Sequence, residues 1–318
     1  DTPMRPGGRR TVRFWSWREQ RGFKNSGNTT RLVDNGTFVN NAEFAPTIGM
    51  NRDGLLTDRT KRRKAGLPAE LRMAKLEDER ARGKNYVGAD WVTADITVTT
   101  DADQTPVAPG YKVSDVIKNG RRTVRFVTES PVLNFLSVQS ARYVEARRMH
   151  NGVELVVYHH PGHERNVPTM LDALAATLDY AGTEFSPYQF RQARIVEFPA
   201  YAGYAQSMPN TFAWSEGLGF ITDLSKPDKI DFVTYIAAHE FAHQWWAHQI
   251  IGSDQQGSTL LSESLAQYTA LMVMERKYGR DQIRRFLKQE LDGYLRARGS
   301  ERLEELPLMR VENQQYIH

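Results

Sequence analysis

The sequence predicts an α+β fold: a β-rich amino-terminal domain over residues 1–150, then a mixed helical and stranded domain over residues 151–318. Three observations carry this. Between Asp90 and Tyr158 apolar and polar residues alternate in short runs, most cleanly in Trp91–Val98 and Arg122–Val127, the latter following an Asn119-Gly120 turn signal. After His150 the apolar spacing lengthens to that of helices, as in Met170, Leu171, Leu174 and Leu178. With 318 residues, 40% of them hydrophobic, the chain is long enough to bury two ordinary cores.

The elements follow in order. The first 35 residues are rich in Arg and Gly, with Val12, Phe14, Trp15 and Trp17 hinting at a strand. Asn35-Gly36 is a turn signal before a strand at Thr37-Phe38-Val39. Arg59–Lys64 is the sharpest basic run, but Glu70, Glu77, Asp78 and Glu79 follow it closely, so it reads as a solvated helical face and not a nucleic-acid contact. Pro131 to Tyr143 and Val153 to Tyr158 read as further strands, Val167 to Phe185 as a helix, and Gln192 to Phe198 as a strand. His159, His160 and His163 flank Pro161-Gly162 and read as surface residues on a turn.

The most informative stretch runs from Ile236 to Glu263. Pro227-Asp228 suits a helix start, Ile230, Val233, Ile236 and Ala237 give an apolar face, and Gly252 suits a stop. On that helix His239 and His243 lie about one turn and roughly 40° apart, so both imidazoles can reach one metal ion. Glu240 projects beside them. This His-Glu-x-x-His arrangement puts two ligands and a general base on one helix. His248 falls roughly 180° from His239 and is not expected to share the ion. A catalytic zinc takes a third protein ligand from a later element. Glu263, in a helix opening at Ser258 and ending near Gly279, lies among Leu261, Leu265 and Ala266, where a carboxylate needs a partner.

His239-Glu240-x-x-His243-Gln244-Trp245-Trp246 with Leu261-Ser262-Glu263-Ser264 resembles the aminopeptidase N family of gluzincins. The spacing from His243 to Glu263 is one residue longer than that family's, an insertion the Gly252–Gly257 loop can absorb. The resemblance implies a thermolysin-like zinc peptidase domain with Zn2+ as cofactor, a peptide as substrate, His239, His243 and Glu263 as metal ligands and Glu240 as general base. It also implies a pocket for a substrate's free amine. Asn41-Ala42-Glu43 stands where the family has Gln-x-Glu, and Glu216 is the nearest acid to the family's amine-gripping glutamate, so Asn41, Glu43 and Glu216 become candidate substrate-binding residues. The Gly-Ala-Met-Glu-Asn strand itself is missing; Ser207-Met208-Pro209-Asn210 stands in its region. The segment also resembles a peptidase-like domain attached to bacterial transporter-type membrane proteins, which implies a larger membrane-embedded chain and a membrane-associated location.

Composition narrows the rest. There is no Cys, which removes disulfides and thiolate metal sites. A net charge of +4 is mild for this length and argues against a nucleic-acid partner. No apolar run reaches the ~18 residues of a membrane span. Relatives in the family carry an oxyanion-binding Tyr in a Tyr-x-Lys-Gly segment. Here no Lys-Gly follows Tyr316, and Tyr294 reads as core of an amphipathic helix from Asp281 to Arg298, so the expectation is a catalytic domain truncated at its carboxyl end. Two functions stay open: hydrolysis of peptide bonds, and a catalytically weak or silent peptide-binding domain.

Overall fold

A computed structural model describes residues 3–19, 31–48, 54–84, 89–225, 230–300 and 304–312. The fold is α+β, with strands concentrated in the first half as predicted. Strand β1 (Thr37–Asn40) leads directly into a one-turn helix, α1 (Asn41–Phe44), and the basic run forms α2 (Arg59–Lys64), capped by Asp58. The expected strand around Val12–Trp17 does not form: that segment has no regular structure and leaves Trp15 and Trp17 exposed.

The alternating run after Asp90 splits into β2 (Trp91–Val92) and β3 (Asp95–Asp101), followed by β4 (Thr105–Val107), β5 (Tyr111–Lys118), β6 (Arg121–Val127), β7 (Val132–Leu133) and β8 (Ser137–Ala141). Three small sheets result, ordered β1-β8-β4, β3-β6-β5 and β2-β7.

The second half is built on a five-stranded sheet, ordered β12-β13-β11-β10-β9, from β9 (Val144–His150), β10 (Val153–His159), β11 (Gln192–Phe198), β12 (Ala205–Met208) and β13 (Thr211–Ser215). Strands β10, β11 and β13 run parallel; β9 and β12 close the two edges antiparallel. The domain boundary read at residue 150 therefore falls inside a hairpin. Asn151 and Gly152 both take positive φ, 47° and 79°, the backbone of a two-residue primed turn, and β9 pairs with β10 along its whole length. The sheet of the second half begins at Val144.

Helix α3 (Val167–Glu184) lays Met170, Leu174 and Leu178 on this sheet, against Leu155, Val157 and Ile195. Helix α4 (Phe232–Ala242) packs beside it through Val233, Ala237 and Phe241 in the same core. Helices α5 (Leu265–Tyr278) and α6 (Arg280–Ser300) add a second cluster, in which Tyr235 and Ala238 of α4 meet Ala270, Met274 and Phe286. Tyr294, expected in the core, is only partly buried and donates its hydroxyl to Glu305 at 2.6 Å. No helix among the described residues is long and apolar enough to cross a membrane.

Candidate metal centre

The helix bearing the motif starts later and ends sooner than its periodicity suggests. Pro227-Asp228 lies outside the described residues; the cap is Asp231, whose carboxylate accepts the N–H of Thr234 at 2.9 Å and its hydroxyl at 2.5 Å. The same carboxylate accepts Lys277 Nζ at 3.2 Å and the hydroxyl of Tyr278, which ties the start of α4 to the end of α5. At the other end α4 stops at Ala242, with His243 as its C-cap, so the motif occupies the last turn and not the middle. Tertiary bonds explain the early stop. Gln244, fully buried, donates to Ser207 Oγ at 2.8 Å and to the Met208 carbonyl at 3.0 Å, and accepts from Asn210 N at 2.9 Å, which pulls the chain onto the β12–β13 hairpin.

Glu263 arrives on a π turn, Leu260–Ser264, that leads into α5. A π turn is what one inserted residue makes of an α-helix, and such turns concentrate at functional sites. The extra residue in the His243–Glu263 spacing is thus taken up in the ligand-bearing turn, where the loop had been expected to absorb it.

These two elements bring three donors together. His239 Nε2 and His243 Nε2 are 3.1 Å apart, and Glu263 Oε2 lies 3.4 Å from the first and 3.6 Å from the second. Donors bound to a tetrahedral zinc at about 2.0–2.2 Å stand about 3.4 Å from one another, so the set fits that ion. The tautomer fits as well. A carbonyl only accepts, so the 3.0 Å contact from His243 Nδ1 to the Trp246 carbonyl puts the proton on Nδ1 and leaves Nε2 bare toward the other two donors.

The electrostatics follow from burial. Burial pushes Glu240 up to about 7, with the charge on His239 pulling the other way. A cation among the three donors would favour its carboxylate form. Burial, then repulsion from His239, holds His243 down at about 4. Burial also opposes charge on His239, but its bond to Glu263 and the nearby Glu240 outweigh that and raise it. The two imidazoles thus share one proton, which resides on His239.

The donors open onto a cleft of about 890 Å³. One wall is β12, through Ala205, Gln206 and Ser207; another is apolar, with Pro46, Ile48, Val92, Leu133 and Phe135. Asn41 and His248 also line it. Asn41 is fixed there by bonds to Asn134 and to Leu136 N. His248 turns away from the donors to the Ser207 carbonyl, 3.2 Å distant.

Glu43 and Glu216 are not brought to the cleft. Glu43 is held by Arg31 at 2.9 Å, Arg18 at 3.1 Å and the Asn40 N–H at 3.0 Å. Glu216 follows β13 and accepts the Ala200 N–H at 2.9 Å, in a cluster with His163 and Glu197. The expectation of surface histidines fails there too: His159 and His160 are buried, and His163 Nδ1 meets the wholly buried Glu197 at 2.5 Å. Among the described residues the cleft contains no tyrosine, and its acid besides Glu240 and Glu263 is Asp90. Tyr316 lies outside the described residues. Sequence reasoning missed Asp90, Gln206, Ser207 and Gln244. Only Gln244, beside the motif, carried a signal.

A scan against protein-family models finds no match, and no curated protein matches the chain. Solved structures do resemble it. One is the M1 zinc metallopeptidase from Deinococcus radiodurans, with a TM-score of 0.53 and 19% identity over 73% of this chain and 50% of that one. The fold is shared at that level, and the chain accounts for about half the length of that structure.

Proposed function

We propose that the chain is a thermolysin-like domain for zinc-dependent hydrolysis of peptide bonds, of the aminopeptidase type. The observation that carries this is the convergence of His239, His243 and Glu263, with Glu240 in the same turn, at the head of a cleft large enough for a peptide. The M1 metallopeptidase fold supports it. His239, His243 and Glu263 would hold the zinc. Zinc, when bound, acidifies a water and polarises the scissile carbonyl. Glu240 takes that water's proton and returns it to the leaving amine. Edge strand β12 offers unpaired backbone groups along the cleft, on which an extended peptide can add as a further strand.

One observation favours a second reading, a weak or silent peptide-binding domain: no tyrosine is available in the cleft among the described residues. A single experiment separates the two. The zinc-loaded chain and its Glu240→Gln variant are assayed on aminoacyl and internally blocked peptides. Hydrolysis by the parent and a loss of about 10²-fold or more in the variant, with zinc and peptide affinity kept, supports the enzyme. Peptide binding with no turnover in either supports the second reading.

A further inference from the structure

We propose that His163, Glu197 and Glu216 form a second divalent-cation site, separate from the cleft. Their donor atoms, one imidazole nitrogen and a carboxylate oxygen from each glutamate, all lie within 4.8 Å of one another. They come from the carboxyl ends of the three parallel strands: His163 from the turn after β10, Glu197 from the end of β11, Glu216 from the residue after β13. The crevice outside the carboxyl ends of parallel strands is where sheets of this kind take ligands.

Charge makes the case for a cation. Glu197 is 0% exposed, and a second carboxylate, Glu216, stands beside it. Among the described residues no Arg or Lys forms an ion pair with either; the charged partner of Glu197 is His163. Even a protonated His163 neutralises only one of the two, and a buried uncompensated charge is costly. A divalent ion would balance both. The neighbouring His160 is about nine-tenths buried, stands edge-on to the His163 ring at 6.1 Å, and has no hydrogen-bond partner for its buried Nε2.

The remaining bonds hold the donors in place. Glu197 Oε2 accepts the His160 N–H at 2.6 Å, and Glu216 Oε1 accepts the Ala200 N–H at 2.9 Å. His163 Nδ1, 2.5 Å from Glu197 Oε1, is closer than the ~3.4 Å between donors on one metal, so it swings outward by about 1 Å on binding. The exposed Pro161-Gly162 turn before it leaves room for this. A mixed nitrogen and oxygen set suits Zn2+ or Co2+ better than Ca2+ or Mg2+. Such an ion would brace a seam, because Asn35 reaches His160 at 3.4 Å and the Tyr201 hydroxyl reaches the Gly36 carbonyl at 3.0 Å just alongside.

The test is metal stoichiometry of the whole chain after chelation and reloading with Zn2+ and, in parallel, Co2+. Two ions per chain are expected. His243→Ala with Glu263→Gln, which leaves the new cluster untouched, should retain one. Glu197→Gln with Glu216→Gln should also retain one, and that ion reports that this variant is folded. His163→Gln, on the exposed turn, should weaken the second ion by about tenfold or more. One ion in the parent and none in His243→Ala/Glu263→Gln would overturn the proposal and leave the cluster held by a shared proton.

Discussion

The imidazole of His243 donates its Nδ1–H to the Trp246 carbonyl at 3.0 Å, so one metal-facing nitrogen is fixed by a residue three positions further along. Trp246 is anchored in turn, its indole N–H donating to the buried Thr269 hydroxyl at 3.0 Å. The orientation of a motif residue on α4 therefore depends on a threonine of α5.

Thr269→Val keeps the shape and removes that acceptor. Zinc affinity should fall by about tenfold, the usual cost of losing a supporting contact behind a ligand. Competition against a chelator of known affinity measures it. An unchanged affinity would mean that Trp246 is held by packing alone.

Gln244 is the bolt between the metal helix and the edge hairpin. Gln244→Ala leaves the Asn210 N–H and the Met208 carbonyl without their partner in a buried place, at about 1–3 kcal/mol for each orphaned group. Denaturant unfolding should show a loss of about 2–4 kcal/mol. Zinc should restore part of it by mass action.

The cap of α4 gives a pH signature. Burial alone would raise Asp231, but the bonds from the Thr234 hydroxyl and N–H, then Tyr278 and Lys277, outweigh it and lower its pKa. The folded carboxylate thus holds a proton less tightly than the unfolded one. Its contribution is complete above the ordinary Asp value near 4 and disappears as pH falls through the lowered folded value. Asp231→Ala should cost about 1–2 kcal/mol at pH 7, and the gap from the parent should shrink in unfolding curves taken below about pH 4.

Glu43 is engaged by two arginines outside the cleft, which bears on selectivity. Glu43→Gln should leave the ratio of kcat/KM for free-amine and blocked peptides within about threefold, under 1 kcal/mol. A larger change would bring Glu43 back as an amine-binding group.

The metal donors were legible in the sequence because two of them share a helix, where spacing dictates direction. Glu263 could be named from its apolar neighbours and from the resemblance, although the π turn that presents it could not. The cleft wall was illegible for a different reason. Asn41, Asp90 and Gln206 meet only through long-range packing, and no local period records that. Glu216 shows the limit of matching by distance along the chain: it lies near the right count before His239, yet it follows β13 to the far end of the parallel strands. The buried His159 and His160 were misread because a Pro-Gly turn signals bends, and this bend is covered by the loops that follow β11 and β13.

The β9–β10 hairpin has a consequence for anyone dividing the gene. A piece beginning at Asn151 would lose β9 and strip the partner from one side of β10, a strand whose residues from Leu155 to His159 are all buried. Its bare N–H and C=O groups would then template pairing with other copies, and that half would aggregate before it could be assayed. A cut that spares the sheet has to fall before Val144, in the short link after β8.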